Sequence, residues 1–236
     1  MSARVLSINV GRPFDAEWAG KLRRTAIVKT SVAGPVQVDA RGVEGDQVAD
    51  TKYHGRVRQA VYAFGREELD VWSERLGGRL ADGMFGENLT TEGIDVNAAL
   101  IGERWQIGST VLEVADVRIP CVVFANYLGL HGFDNDKWIK RFTTDARPGP
   151  YLRVVQPGQI CAGDAVTVVH RPDHDVTVSL MFRALTTERD LLPRLLVIAD
   201  SLASEHRHAV EKYAASSRGS RSRSMDNDLS PDSAVI

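Results

Sequence analysis

Cysteine is nearly absent from this 236-residue chain, Cys121 and Cys161 being the whole complement. Two thiols cannot staple a disulfide framework, and both are expected to stay reduced in a cytosol. Nor does either sign of charge dominate. With 29 Lys and Arg against 31 Asp and Glu, the net charge of −2 argues against a general nucleic-acid or membrane-surface binder. No apolar run approaches the length of a membrane span. The stretch 1–10 is too short and too alternating for a signal peptide. The six histidines show no zinc spacing: Pro172 lies between His170 and His174, and His206 and His208 fall on different faces of a helix. P-loop, dinucleotide, nucleophile-elbow and kinase signatures are missing, and so is a cysteine cluster for iron–sulfur. What is there is an ordinary globular composition, 43% hydrophobic and 25% charged, expected to be cytoplasmic.

Along the chain, short β-rich runs alternate with Gly/Pro turns. Strands are expected at 4–10, 25–32, 36–39, 59–64, 105–107, 111–115, 151–155 and 165–169, with a hairpin at Gly34-Pro35. Residues 66–76 read as a helix, since Leu69, Trp72 and Leu76 make one apolar stripe and Gly77-Gly78 stop it. Shorter helices follow Pro120 and Asn135. This pattern implies a mainly β domain with inserted helices (α+β) over 1–175. Leucine-rich helical periodicity then indicates a small helical domain at 176–213, with Thr187 and Asp190 in capping-box spacing. The Ser/Arg-rich segment 214–236 has little to bury and is expected to be a disordered tail.

The stretch 116–126 holds the candidate chemistry. Pro120 suits a first helical turn. Cys121 beside it would meet free N–H groups and the positive end of the helix dipole, which favour a thiolate. The same residues are compatible with an inert cysteine that merely fills space. A lone His54 between Tyr53 and Gly55 is more often structural than catalytic. The glycine turns at 42–46 and 83–88 could bring backbone close to an anion, although turns without ligands are commoner.

Taken together, Gly42-Val-Glu-Gly-Asp46, His54-Gly55 with Ala60-Val61, Phe85-Gly-Glu-Asn-Leu89, Ile101-Gly102, Arg118-x-Pro-Cys121, Pro157-Gly158 and Gly163-Asp164 resemble, in order, the MOSC proteins. MOSC denotes the C-terminal domain of molybdenum cofactor sulfurase. The chain is most similar to the YiiM-type branch, which adds a short helical domain. That resemblance implies a MOSC-type β-barrel, a molybdenum cofactor (molybdopterin) held through Cys121 as the metal ligand, and reduction of N-hydroxylated compounds such as 6-hydroxylaminopurine to amines. It places Lys29, Asp46, His54, Gly55, Gly86, Glu87, Asn88, Arg118 and Arg153 around the cofactor, with His54 or Glu87 relaying protons. Electrons would come from a separate reductase, and the chain would act as a monomer or homodimer without nucleic acid or membrane. A cofactor carrier and a sulfur-transfer module are the competing implications. The second lacks the pyridoxal-phosphate desulfurase part, which needs several hundred further residues. Two positions depart from the family pattern: Arg56 replaces the second glycine after His54, and Val117 replaces a proline.

Overall fold

The computed structural model describes residues 2–49 and 57–227, with side chains through residue 216. His54, Gly55 and Arg56 lie outside the described residues. The strands are β1 Arg4–Val10, β2 Phe14–Asp15, β3 Arg24–Thr25, β4 Thr30–Val32, β5 Val36–Asp39, β6 Gly42–Val43 and β7 Val61–Gly65. After helix α1, Arg66–Leu76, come β8 Leu89–Glu92, β9 Arg104–Ile107 and β10 Thr110–Val117. Helices α2 Val122–Leu130 and α3 Trp138–Asp145 follow, then β11 Pro150–Gln156, β12 Gly158–Ile160 and β13 Val166–His170. Helices α4 Val178–Thr186 and α5 Ser204–Asn227 flank a 3-10 segment, Arg189–Ser201, kinked at Ile198.

Eight strands form one sheet in the order β13-β9-β10-β11-β7-β8-β1-β4, antiparallel except for the parallel pair β7 and β8. The expected closed barrel does not form. The edge strands β13 and β4 stay unjoined, because β1 divides its second side between two partners. β4 takes Ile8 to Val10, while the chain at 163–166 meets only residues 3–5, through one bridge at Arg4 and Ala165. Beyond that bridge residues 167–170 of β13 are exposed and pair with β9 alone among the described strands. The architecture is therefore mixed α+β around an open sheet.

Two other expectations fail, the first for a local reason and the second for a non-local one. The run 25–32 is broken, because Thr25 Oγ1 accepts from the Ile27 N–H at 3.1 Å and turns the chain out of strand geometry until Thr30. No hairpin forms at Gly34, since β4 pairs with β1 while β5 pairs with β12 and β6. Helix α1 forms as read, with Glu67 and Glu68 near its positive end and Gly77 at φ 70° closing its last turn.

Thr187 does not cap a helix start; it ends α4, whose own start is capped by Thr177 accepting from the Leu180 N–H at 3.0 Å. Leu192, Leu195 and Ile198 are buried in the same apolar cluster as the sheet. Each such side chain contributes roughly 2 kcal/mol by leaving water. Helix α5 continues to Asn227. Among the described residues no helix is long and apolar enough to cross a membrane.

Candidate functional site

The site is built where β10 ends and α2 begins. Phe124 on α2 is fully buried and meets Phe85, Trp138 and Phe142 edge-on, with ring centroids 4.8, 5.2 and 5.5 Å away. That aromatic anchor fixes the helix start. Cys121 is its N-cap residue, in extended backbone at φ −134° and ψ 169°, and its side chain caps nothing. Pro120 therefore stands one residue outside the N-cap rather than in the first turn. Ile119 and Val122 beside the thiol are 42% and 53% exposed, so Cys121 sits at an open lip rather than in the core. The N-cap position lies at the positive end of the helix, beside the first turn's unpaired N–H groups.

Arg118 is only 7% exposed and lies over the rings of Tyr62 and Phe124, at 5.6 and 5.8 Å. Its Nη1 donates to the Tyr151 hydroxyl at 3.0 Å, while its Nε has no acceptor. Burial works against its charge, but Tyr151, Cys121 and Tyr62 outweigh this and hold the guanidinium firmly protonated. A buried cation with an unused donor beside a thiol is an anion-receiving arrangement.

On the other side, Lys29 is paired with Asp46, both side chains being almost buried. Asp46 also accepts from the Gly11 N–H at 2.7 Å and from Asn88 Nδ2 at 2.8 Å. Burial lowers the Lys29 pKa, opposed by Asp46 and reinforced by Arg118. The Lys29 stem runs between glycines: a Cβ on Gly11 would come within 3.1 Å of Lys29 Cδ, and one on Gly83 within 3.1 Å of Lys29 Cβ. Asn88 ties this pair to the sheet, accepting from the Tyr62 N–H at 3.0 Å while its own Nδ2 reaches the Asn9 carbonyl at 3.2 Å. Gly86 adopts φ +80°, where a Cβ would press on Ile27 at 3.1 Å.

Because Lys29 and Asp46 are a buried pair, deleting one partner strands the other. Lys29→Met should cost roughly 3 kcal/mol of stability. Lys29→Met with Asp46→Asn should cost less than the two single losses together, a coupling that a double-mutant denaturation cycle measures.

Glu87 is fully buried, and its carboxylate accepts from the Gly83 N–H at 2.6 Å, the Phe85 N–H at 3.0 Å and the Thr90 hydroxyl at 2.9 Å. Burial pushes its pKa up to about 7 against those three donors. Its geometry is that of a staple for the 83–90 turn. Arg153 points elsewhere: its Nε donates to Glu113 at 2.7 Å, and Glu113 also accepts from Arg104 at 2.8 Å. The structure thus draws Lys29, Asp46, Glu87, Asn88 and Arg118 into one neighbourhood with Cys121, and leaves Arg153 in an ion-pair cluster on the strands. Tyr151 and Tyr62, which frame Arg118, were not singled out by sequence. Their places on strands β11 and β7 mark them only as buried aromatics.

Cys161 differs from Cys121. It occupies a turn in which its N–H donates to Asp164 Oδ2 at 2.8 Å and its carbonyl accepts from the Asp164 N–H at 3.1 Å. Both contacts are backbone, so Cys161→Ala should cost about 1 kcal/mol or less in a denaturant titration and leave any bound cofactor in place.

The MOSC domain model matches residues 50–167, and the chain belongs to the MOSC domain family. Within it the chain is YiiM-type: it is similar to the solved YiiM of Geobacillus stearothermophilus, with 27% identity, a TM-score of 0.72, and 89% of this chain and 98% of that one covered. Protein YflK of Bacillus subtilis is 30% identical over 76% of this chain and 79% of its own length. A protein of Gibberella moniliformis named Reductase is 31% identical over 71% of this chain but only 29% of its own length.

Proposed function

We propose that the chain is a molybdenum-cofactor-dependent reductase that converts N-hydroxylated compounds, such as 6-hydroxylaminopurine, to amines. The observation that carries this reading is the open helix-start thiol of Cys121 beside the buried Arg118, whose Nε lacks an acceptor. The residues present fit such a cofactor. One soft sulfur suits molybdenum, and two buried cations suit a pterin phosphate. The glycines at 11, 83 and 86 let the chain pack closely on residues 26–29, where a Cβ would clash, and so hold the Lys29 stem in place. When bound, the molybdenum–pterin group supplies the two-electron redox chemistry.

The chain's own residues then have separable tasks. Cys121 Sγ would hold the metal at the lip. Arg118 and Lys29 would balance the cofactor's negative charge, and Asp46 and Asn88 keep Lys29 in place. Tyr62, Phe85 and Phe124 form the apolar wall behind Arg118 and limit water there, which strengthens each charged contact. Glu87 is left out of proton transfer in this reading, because its two oxygens already accept three hydrogen bonds. His54 keeps the relay role on sequence grounds. Electrons arrive from a separate reductase in the cytoplasm. The fungal relative's name, Reductase, supports the activity class. The test is direct: protein purified from a cofactor-competent host, given a chemical reductant, should turn 6-hydroxylaminopurine into adenine. Molybdenum-loaded protein that yields no adenine would reduce the chain to a cofactor carrier.

A further inference from the structure

Strand β10 loses backbone pairing on its β9 side after Val114, whose N–H and carbonyl still meet Glu103 and Gly102, and its pairing with β11 slips between Val114 and Asp116. Such slips commonly stand next to functional sites, where they re-aim side chains. The segment leading to Arg118 and Cys121 is therefore secured by the ladder on one side only. The other side is taken up by groups from two remote parts of the chain. Arg58, on the single 3-10 turn Val57–Gln59, donates through Nη2 to the Ala115 carbonyl at 2.6 Å and also to the Ser201 carbonyl. Its Nε is buried without an acceptor, so the guanidinium depends on these carbonyl contacts. Asp116, only 4% exposed, faces His206 Nε2 of α5 at 3.7 Å and accepts from the Val117 N–H at 2.9 Å. Burial and nearby Glu205 push Asp116 up, against His206, Val117 and Arg58.

We propose that Arg58 and the Asp116–His206 pair are positioning residues that clamp the C-terminal helices onto the end of β10 and so fix the turn presenting Arg118 and Cys121. The C-terminal unit thereby acts on the site without lining it. The inference rests on Cys121 being the functional thiol, but not on which group that thiol binds.

The test uses the full chain in a Cys161→Ala background, produced without molybdate, and follows alkylation of Cys121 by iodoacetamide. Arg58→Ala and His206→Ala should each speed alkylation about tenfold, the opening expected when one polar contact is removed from a locally stabilised segment. His206→Gln, whose amide still donates toward Asp116, should return the rate toward that of the parent. Arg194→Ala breaks an exposed pair with Asp175 in the same C-terminal unit and should leave the rate unchanged. Should Arg58→Ala unfold the chain, the half-buried His206 decides alone. Rates within about twofold of the parent for folded His206→Ala would overturn the clamp, and so would an equal acceleration by Arg194→Ala. Alkylation needs no metal, so a protein that never binds molybdenum would sink the cofactor reading and leave this result standing.

Discussion

Cys121→Ser should give a folded chain whose reductase turnover falls roughly a hundredfold or more, since losing the metal ligand should cost at least what losing an outer-shell partner does. The fold should survive because the side chain caps nothing and sits at a half-open lip, so its packing contribution is small. The chemistry should not survive. Serine is nearly isosteric, but its hydroxyl is a hard, protonated donor where a soft thiolate is required. Arg118 would keep its place over Tyr62 and Phe124. Circular dichroism and adenine formation, measured on the same preparation, check the two halves of the claim. Retained turnover in Cys121→Ser together with lost turnover in Cys161→Ala would move the site to the other cysteine.

The second large effect lies at Glu87. Glu87→Ala should destabilise the protein by about 3–5 kcal/mol, because the N–H groups of Gly83 and Phe85 and the Thr90 hydroxyl would be left buried without an acceptor. The same carboxyl makes stability depend on pH with a definite sign. Its folded pKa, about 7, lies above the ordinary value of 4.5, so the folded state binds the proton more tightly. The stabilisation is fully present below pH 4.5 and is lost as pH rises through about 7. A shift of that size corresponds to about 3 kcal/mol. Glu87→Gln removes the titration while keeping the size. The difference in unfolding free energy between parent and Glu87→Gln, taken in urea at several pH values, should therefore slope between those limits and flatten above them. A flat difference throughout would mean that Glu87 is ionised on its three donors despite its burial.

Much of this fold could be read from short-range pattern. The alternation in β1, the stripe and glycine stop of α1, and the Gly108-Ser109 turn between β9 and β10 are local, and each formed as expected. Apart from the break at Thr25, the failures are non-local. Whether β4 pairs with β5 or with β1 depends on partners far along the chain, and barrel closure depends on where β1 is already occupied. Strand β12 was hidden because Pro157-Gly158 also reads as a turn, although Gly158 pairs with Val38.

The site divides in the same way. Cys121 declared itself through Pro120 and the helix that follows. Lys29, Asp46 and Asn88 entered through the family resemblance, and only the folded chain brings them onto one network. Arg153 had the right residue type on a late strand, but cross-strand register hands it to Glu113. Tyr151 and Arg58 gave no sequence signal, since one reads as a strand aromatic and the other as a surface arginine.

Metal and pterin analysis of the protein purified from a cofactor-competent host decides whether Cys121 holds molybdenum. About one molybdenum per chain is expected, with a matching quantity of pterin, bound through the Cys121 sulfur. Stoichiometric zinc without molybdenum, or full molybdenum occupancy in Cys121→Ser, would contradict it.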